Sequence, residues 1–306
     1  MTAKASKHLT LRTTLLCPMA LALGLAGCAS TPEEPLLAPR KENIVAVTAS
    51  NLLITFNAGQ PAKILSKRAV TGLQPGEEIA GIDYRVAKGV LYALGRTGKV
   101  GRLYTIDVAS GKATQVGAGP FAIALEGDEF GFDFNPTVDR IRLVSNTGLN
   151  ARLHPDTGAA VDANPNMEGL QTDGKLAFAA TDAHAGKTPA IMAAGYTYNK
   201  QNDKITTNYA VDGKLDLLVM QGTKEGATPP VSPNTGQLFT VGKIGVGEST
   251  RVSFDIADVN NAAFGAFTAA GGKSSRFYLI SLETGAGTFQ GTIGGGEPVK
   301  GIAIEP

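Results

Sequence analysis

Four short apolar runs separated by turn residues form a unit that recurs along this chain, and its sharpest part reads FGFDFNPTVDRIRLVS from Phe130 to Ser145. There Phe130, Phe132 and Phe134 alternate with Gly131 and Asp133, Asn135-Pro136 interrupts, and Ile141, Leu143 and Ser145 alternate with Arg142 and Val144. Two period-two runs across a proline turn predict a pair of antiparallel strands. One whole unit is laid out at 81–84, 90–94, 102–107 and 113–116. Others follow at 132–134, 141–144, 151–154 and 159–161, then at 196–198, 205–209, 215–220 and 237–241, then at 252–256, 263–267, 277–282 and 288–293. Ser110-Gly111, Asp156-Thr157-Gly158, Asn234-Thr235-Gly236 and Glu283-Thr284-Gly285 precede the last run of each unit. Glycine there supplies the positive φ that a tight hairpin requires.

The remainder decides the architecture. Three runs precede the first unit, at 44–48, 52–56 and 62–70, and one follows the last, at 301–304. One plus three makes a fifth sheet shared by both chain ends, the closure that leaves no sheet edge open between them. The prediction is an all-β fold, a β-propeller of five four-stranded blades closed by the C-terminal strand. From Asn43 to Pro306 there are 264 residues (306 − 43 + 1), about 53 per blade against a usual repeat of roughly 40–50. The surplus falls in two long loops, 164–187 and 222–234. Six blades, with one concealed in those loops, is the alternative, whereas a two-sheet sandwich does not account for the one-plus-three remainder.

Ahead of the repeat stands a leader. Lys4, Lys7 and Arg12 precede an apolar stretch at 15–26, which ends in Leu25-Ala26-Gly27-Cys28. An apolar core of that length is too short to span a bilayer and, with its basic flank, has the form of a secretory signal. Its last four residues resemble the bacterial lipobox, in which the cysteine becomes the acylated first residue of the mature protein. The expected organisation is a signal peptide at 1–27, a Pro-rich tether at 28–42 beginning with lipidated Cys28, and one propeller domain at 43–306. Cys17 leaves with the leader, so no disulfide is expected. Ala29 and Ser30 lack the aspartate that, by resemblance to Gram-negative lipoproteins, favours inner-membrane retention, so the expected address is the outer membrane, facing periplasm or cell surface.

Four segments resemble a family of bacterial secreted proteins, domain of unknown function 4394: Gly81-Ile82-Asp83-Tyr84-Arg85, Leu103-Tyr104-Thr105-Ile106-Asp107, Phe130 to Arg142, and Pro155-Asp156-Thr157-Gly158. FGFDFNP followed by DRIR is the most distinctive part. The resemblance implies a propeller-like fold and export, and brings no catalytic residues with it.

Chemistry is sparsely marked. A formal charge of +1 removes the electrostatic case for nucleic acid. Beyond the leader the histidines are His154 and His184, about 30 residues apart with no acid or thiol at ligand spacing, and they read as loop residues. Gly271-Gly272-Lys273-Ser274 lacks the first glycine and the helix of a phosphate loop. Asp162-Ala163-Asn164-Pro165-Asn166 lacks the turn glycine and closing acid of a calcium loop, and no GxSxG occurs. No cofactor and no metal are expected.

Two groups remain. Asp83, Asp133 and Asp255 hold the same place in the first run of three units. First strands line a propeller channel, so these acids either bond backbone of the next blade or serve as the acid, base or stabiliser of a glycan hydrolase. Asp139-Arg140-Ile141-Arg142 puts two guanidiniums on one strand face, which grip an anionic ligand together with Asn135 and Asp139, or pair with Asp133 and Asp139 between blades. The function expected is a monomeric, envelope-anchored binding or scaffolding module for an envelope protein or glycan, with a glycan hydrolase as the alternative.

Overall fold

The computed structural model describes residues 1–5, 34–35 and 37–306, so most of the signal peptide, Cys17, Cys28 and the first part of the tether lie outside the described residues. Among the described residues no helix is long and apolar enough to cross a membrane. The compact unit that carries the repeat runs from Glu34 to Pro306.

Twenty strands and no α-helix form the described domain. The first three are β1 (Asn43–Thr48), β2 (Leu52–Asn57) and β3 (Gln60–Ala69). Next come β4 (Glu78–Arg85), β5 (Val90–Thr97), β6 (Val100–Asp107) and β7 (Lys112–Val116), an antiparallel sheet in chain order. A three-stranded sheet follows, β8 (Phe130–Asn135), β9 (Arg140–Ser145) and β10 (Asn150–Leu153). The fourth sheet holds β11 (Ala177–Phe178), β12 (Ile191–Tyr196), β13 (Asn208–Asp212), β14 (Leu217–Gln221) and β15 (Gln237–Lys243), with β11 added in parallel outside β15. The fifth is β16 (Arg251–Ile256), β17 (Ala263–Thr268), β18 (Arg276–Ile280) and β19 (Gly287–Thr292). Last in the chain, β20 (Val299–Ile304) pairs antiparallel with β1, Ile44 opposite Ile304.

That pairing makes the first blade from β20, β1, β2 and β3, the predicted one-plus-three closure. The inner strands β4, β8, β12, β16 and β20 pack against one another in that order and back to β4, forming a ring. Five separate hydrophobic clusters fill the five junctions between neighbouring blades, which fixes the blade count at five. Aromatic side chains bridge the junctions: Tyr92 meets Phe134 edge-on at 5.1 Å between ring centres, and Phe56 meets Phe277 at 5.3 Å. Burying one such side chain stabilises the fold by about 1.5–3 kcal/mol.

Glycine sets how closely the ring is drawn in. A Cβ on Gly81 would stand 2.8 Å from Cβ of Phe132, and one on Gly131 would stand 2.7 Å from the Ala194 nitrogen. This close approach explains why a glycine stands two residues before Asp83 and before Asp133.

Three details differ from the sequence reading. The run at 159–161 contributes only an isolated bridge, Leu153 to Ala160, so the third blade has three strands. The fourth blade begins at Ile191 rather than at Tyr196, and its second strand at Asn208 rather than at 205. All six residues of IMAAGY are buried, and such a strand shows no alternation because both of its faces are covered. The first long loop also supplies β11, which gives the fourth blade a fifth strand.

Candidate functional site

An inner strand is the edge of its sheet, so its N–H groups facing the axis are buried without a ladder partner and need an acceptor. Three carboxylates supply acceptors for all five blades. Asp83 Oδ2 accepts from Phe134 N at 2.7 Å, Asp133 Oδ1 from Tyr196 N at 2.9 Å, and Asp255 Oδ2 from Ile304 N at 2.6 Å, each on the inner strand of the following blade. The equivalent positions in the fourth and first blades are therefore Gly195 and Ala303, which have no carboxylate. In the blades that follow those two, the aspartate itself serves its neighbour: Ile256 N donates to Asp255 Oδ1 at 2.6 Å and Tyr84 N to Asp83 Oδ1 at 2.7 Å. Gly195 has no room for an acid, since a Cβ there would stand 2.9 Å from the Phe254 ring.

The three acids come together. One oxygen from each lies within 4.8 Å of the others, and all three residues are buried. Among the described residues no Lys, Arg or His forms an ion pair with them. Burial raises the pKa of each, most of all through lost hydration; the charge of Asp255 adds to this at Asp83, and the charges of Asp83 and Asp255 add to it at Asp133. Tyr198, half-buried beyond the end of β12, also has its pKa pushed up, first by burial and then by the same three carboxylates.

A cavity of a different kind, about 380 Å³, opens beside β8 to β10. Its polar lining includes Asn135, Arg140, Arg142, Arg152, Tyr196 and Asn234. Arg142 is buried and fully engaged: it donates to Asp173 Oδ2 at 2.6 Å, Asn150 Oδ1 at 2.8 Å, Asn234 Oδ1 at 2.6 Å and the Tyr196 hydroxyl at 3.2 Å. Arg152 meets the same Asp173 with two bonds of 2.8 Å. Asp173 comes from the first long loop and Asn234 from the second, so this network pins both loops to the third blade. Arg140 donates to the Asp139 carbonyl at 2.9 Å and has no acid partner among the described residues.

The pairing of Arg140 and Arg142 with Asp133 and Asp139, anticipated from their spacing, does not occur. Asp133 lies on the axis, and the Asp139 carboxylate is taken by Arg85 of the second blade, through Nε at 2.8 Å and a second contact from Nη2. Arg85 also reaches Asp156 at 2.5 Å, so the second and third blades are joined by an ion pair not recognised in the sequence. Asn135 lines the cavity, but its Oδ1 caps its own turn through Thr137 N at 2.9 Å. His154 accepts from Asp156 N, and His184 bonds the Thr240 hydroxyl at 3.0 Å. The residues missed are Asp173, Asn234 and Arg152. Arg152 sits directly across from Arg142 on paired strands, a juxtaposition legible once the hairpin register is known.

The fold and the axis define a five-bladed β-propeller whose innermost strands are tied together by acids. Residues 52–303 match the model of the family described as a domain of unknown function, DUF4394, and the chain belongs to that family. No curated protein matches it. Among solved structures it is similar to a chain of a nidogen/laminin complex, at 11% identity and a TM-score of 0.45, over 87% of this chain and 98% of that one. It is also similar to a GH43 glycoside hydrolase engineered for endo-xylanase and exo-arabinofuranosidase activity, at 12% identity and a TM-score of 0.47, over 84% of this chain and 51% of that one. A third likeness is to hydrazine synthase of Kuenenia stuttgartiensis, at 10% identity and a TM-score of 0.39, over 76% of this chain and 53% of that one. The chain thus spans about half the length of the last two, and at these scores none of the three bears on its chemistry.

Proposed function

We propose that the protein is a non-enzymatic binding module of the cell envelope, held to the membrane by a lipid on Cys28, which takes an anionic group of a glycan or partner protein into the cavity at Arg140. The observation that carries this reading is the contrast between a closed acid cluster and an open basic cavity. Five of the six oxygens of Asp83, Asp133 and Asp255 accept backbone N–H groups, and all three residues are buried. A general acid needs access to the leaving group it protonates, so this placement speaks against glycan hydrolysis by these residues. The cavity beside β9 offers a guanidinium without an acid partner in a pre-formed, loop-rimmed recess.

A thermal-shift screen of the full chain in detergent tests the proposal, using oligouronates, peptidoglycan fragments and sugar phosphates against neutral oligosaccharides. Saturable stabilisation by an anionic class, lost in Arg140→Ala, is the expected result. Stabilisation by neutral sugars alone, or binding unchanged in Arg140→Ala, would overturn the assignment of the cavity. Cys28→Ser moves the protein from the membrane to the soluble fraction if the anchor is as proposed.

A further inference from the structure

The axial cluster gathers three buried carboxyls with no basic side chain among the described residues to offset their charge when ionised. N–H donors at 2.6–2.9 Å favour the ionised form of the carboxylate that accepts them. The sixth oxygen, Oδ2 of Asp133, accepts from no group among the described residues. The three carboxyls lie buried with an oxygen of each within 4.8 Å of the others, and no basic side chain is paired to them among the described residues. Burying charge without a counter-charge is strongly unfavourable, and buried carboxylates are either paired or coordinate metals.

A second observation points the same way. Ser253 is 5% exposed, and its hydroxyl is buried without a hydrogen-bond partner. It lies two residues before Asp255 on β16, on the same face of that strand, and lines a narrow axial cavity with Gly81, Gly131, Ala193, Gly301 and Lys300, whose ammonium is paired with Glu78. Four small residues and one orphaned hydroxyl thus form the layer of the inner strands two residues before the acid positions. An unpaired buried hydroxyl calls for a partner, and a cation or its bound water supplies one.

We propose that Asp83, Asp133 and Asp255, with Ser253 beside them, hold a single hard divalent cation of the calcium class on the propeller axis. All donors are oxygens, which selects a hard cation over zinc or copper. The ligand atoms lie within 4.8 Å of one another, a span that Ca–O bonds of about 2.4 Å can bridge, and magnesium gives up its water shell reluctantly for a site made of protein oxygens alone. The ion offsets the charge gathered there, and Oδ2 of Asp133, which no N–H group occupies, is the oxygen best placed to bind it. The site clamps the second, third and fifth blades at their inner edges. It replaces the expectation of a metal-free chain.

The test begins with elemental analysis of the full chain purified in detergent without chelator. EDTA-stripped protein is then titrated calorimetrically with CaCl2 and MgCl2, and melting is followed alongside. The expected result is one ion per chain, a melting temperature that rises saturably with calcium, and weaker binding of magnesium. Asp133→Asn keeps the oxygen that serves Tyr196 N while removing the charge, and is expected to weaken calcium binding about tenfold or more. Wild-type protein that takes up no ion, and melts alike in EDTA and in millimolar calcium, overturns the proposal and shows that the cluster holds protons instead. Wild-type affinity in Asp133→Asn also overturns it, by placing the ion elsewhere. Should that variant not fold, the wild-type titration decides alone.

Discussion

Two polar clusters lie within one blade of each other and are built on opposite terms. On the axis, acids carried by the repeat sit at equivalent positions of the second, third and fifth blades and spend their oxygens on backbone. In the cavity beside β9, arginines meet an acid and an amide brought by two long loops. The first cluster is regular, closed and holds blades together; the second is irregular, open on one side and holds loops down. Regular placement suits a brace, and irregular placement suits the recognition role proposed for the cavity, because loops are where a rigid scaffold displays what it binds.

The comparison breaks if the axis proves dispensable. Asp83→Ala leaves Tyr84 N and Phe134 N without acceptors. At about 1–3 kcal/mol for each orphaned donor, chemical denaturation of the full chain is expected to show a loss of roughly 2–6 kcal/mol, reduced in Asp83→Asn, which retains one acceptor. A loss no greater than that of an exposed substitution would mean the acids brace nothing.

Next in size stands Arg142→Ala. It leaves Asp173 to Arg152 alone and removes bonds to Asn150 and Asn234. Breaking a buried pair costs about 3–5 kcal/mol; since Arg152 still compensates the acid, about 3 kcal/mol is expected. Limited proteolysis should then cut first within 164–187 or 222–234, whereas Asp83→Ala should give no such loop-restricted cleavage.

The smallest effect concerns pH and sharpens the electrostatic side of the contrast. Glu129, just before β8, is driven up to about 7 by burial, although Arg251 pairs with it at 3.3 Å and pulls the other way. A carboxyl whose pKa is raised on folding is protonated in the folded state while the unfolded chain has already ionised. Its contribution is thus complete below its unfolded pKa of about 4.5 and is lost as pH rises through about 7. Between pH 5 and 8 it is expected to cost on the order of 2 kcal/mol, discounted for partial solvent access. Glu129→Gln should flatten that part of the curve of stability against pH, and an unchanged slope would assign the pH dependence to other groups.

Legibility in the sequence divides along the same line. Blade count and ring closure could be read because each strand carries its own alternation and each hairpin its own glycine. The three aspartates could be matched because each follows Gly-x or Ser-x in an inner strand. Their convergence could not be read, since three residues spread over 173 positions (255 − 83 + 1) meet only when a ring is closed. Asp173 gave no sign either: a lone acid in a long loop has no period to mark it. The inner strand of the fourth blade was displaced in the sequence reading because Gly195 stands where an aspartate would have marked the register, and the Phe254 ring fills that place.

The clasp between β20 and β1 also sets an order of events. Residues 44–47 find their second strand only in residues 301–304, and the Asp255 carboxylate receives its second N–H from Ile304. Until Val299–Ile304 can reach β1, the first blade lacks a strand and the ring stays open, so the residues at 44–48 wait on a segment about 250 positions further along the chain.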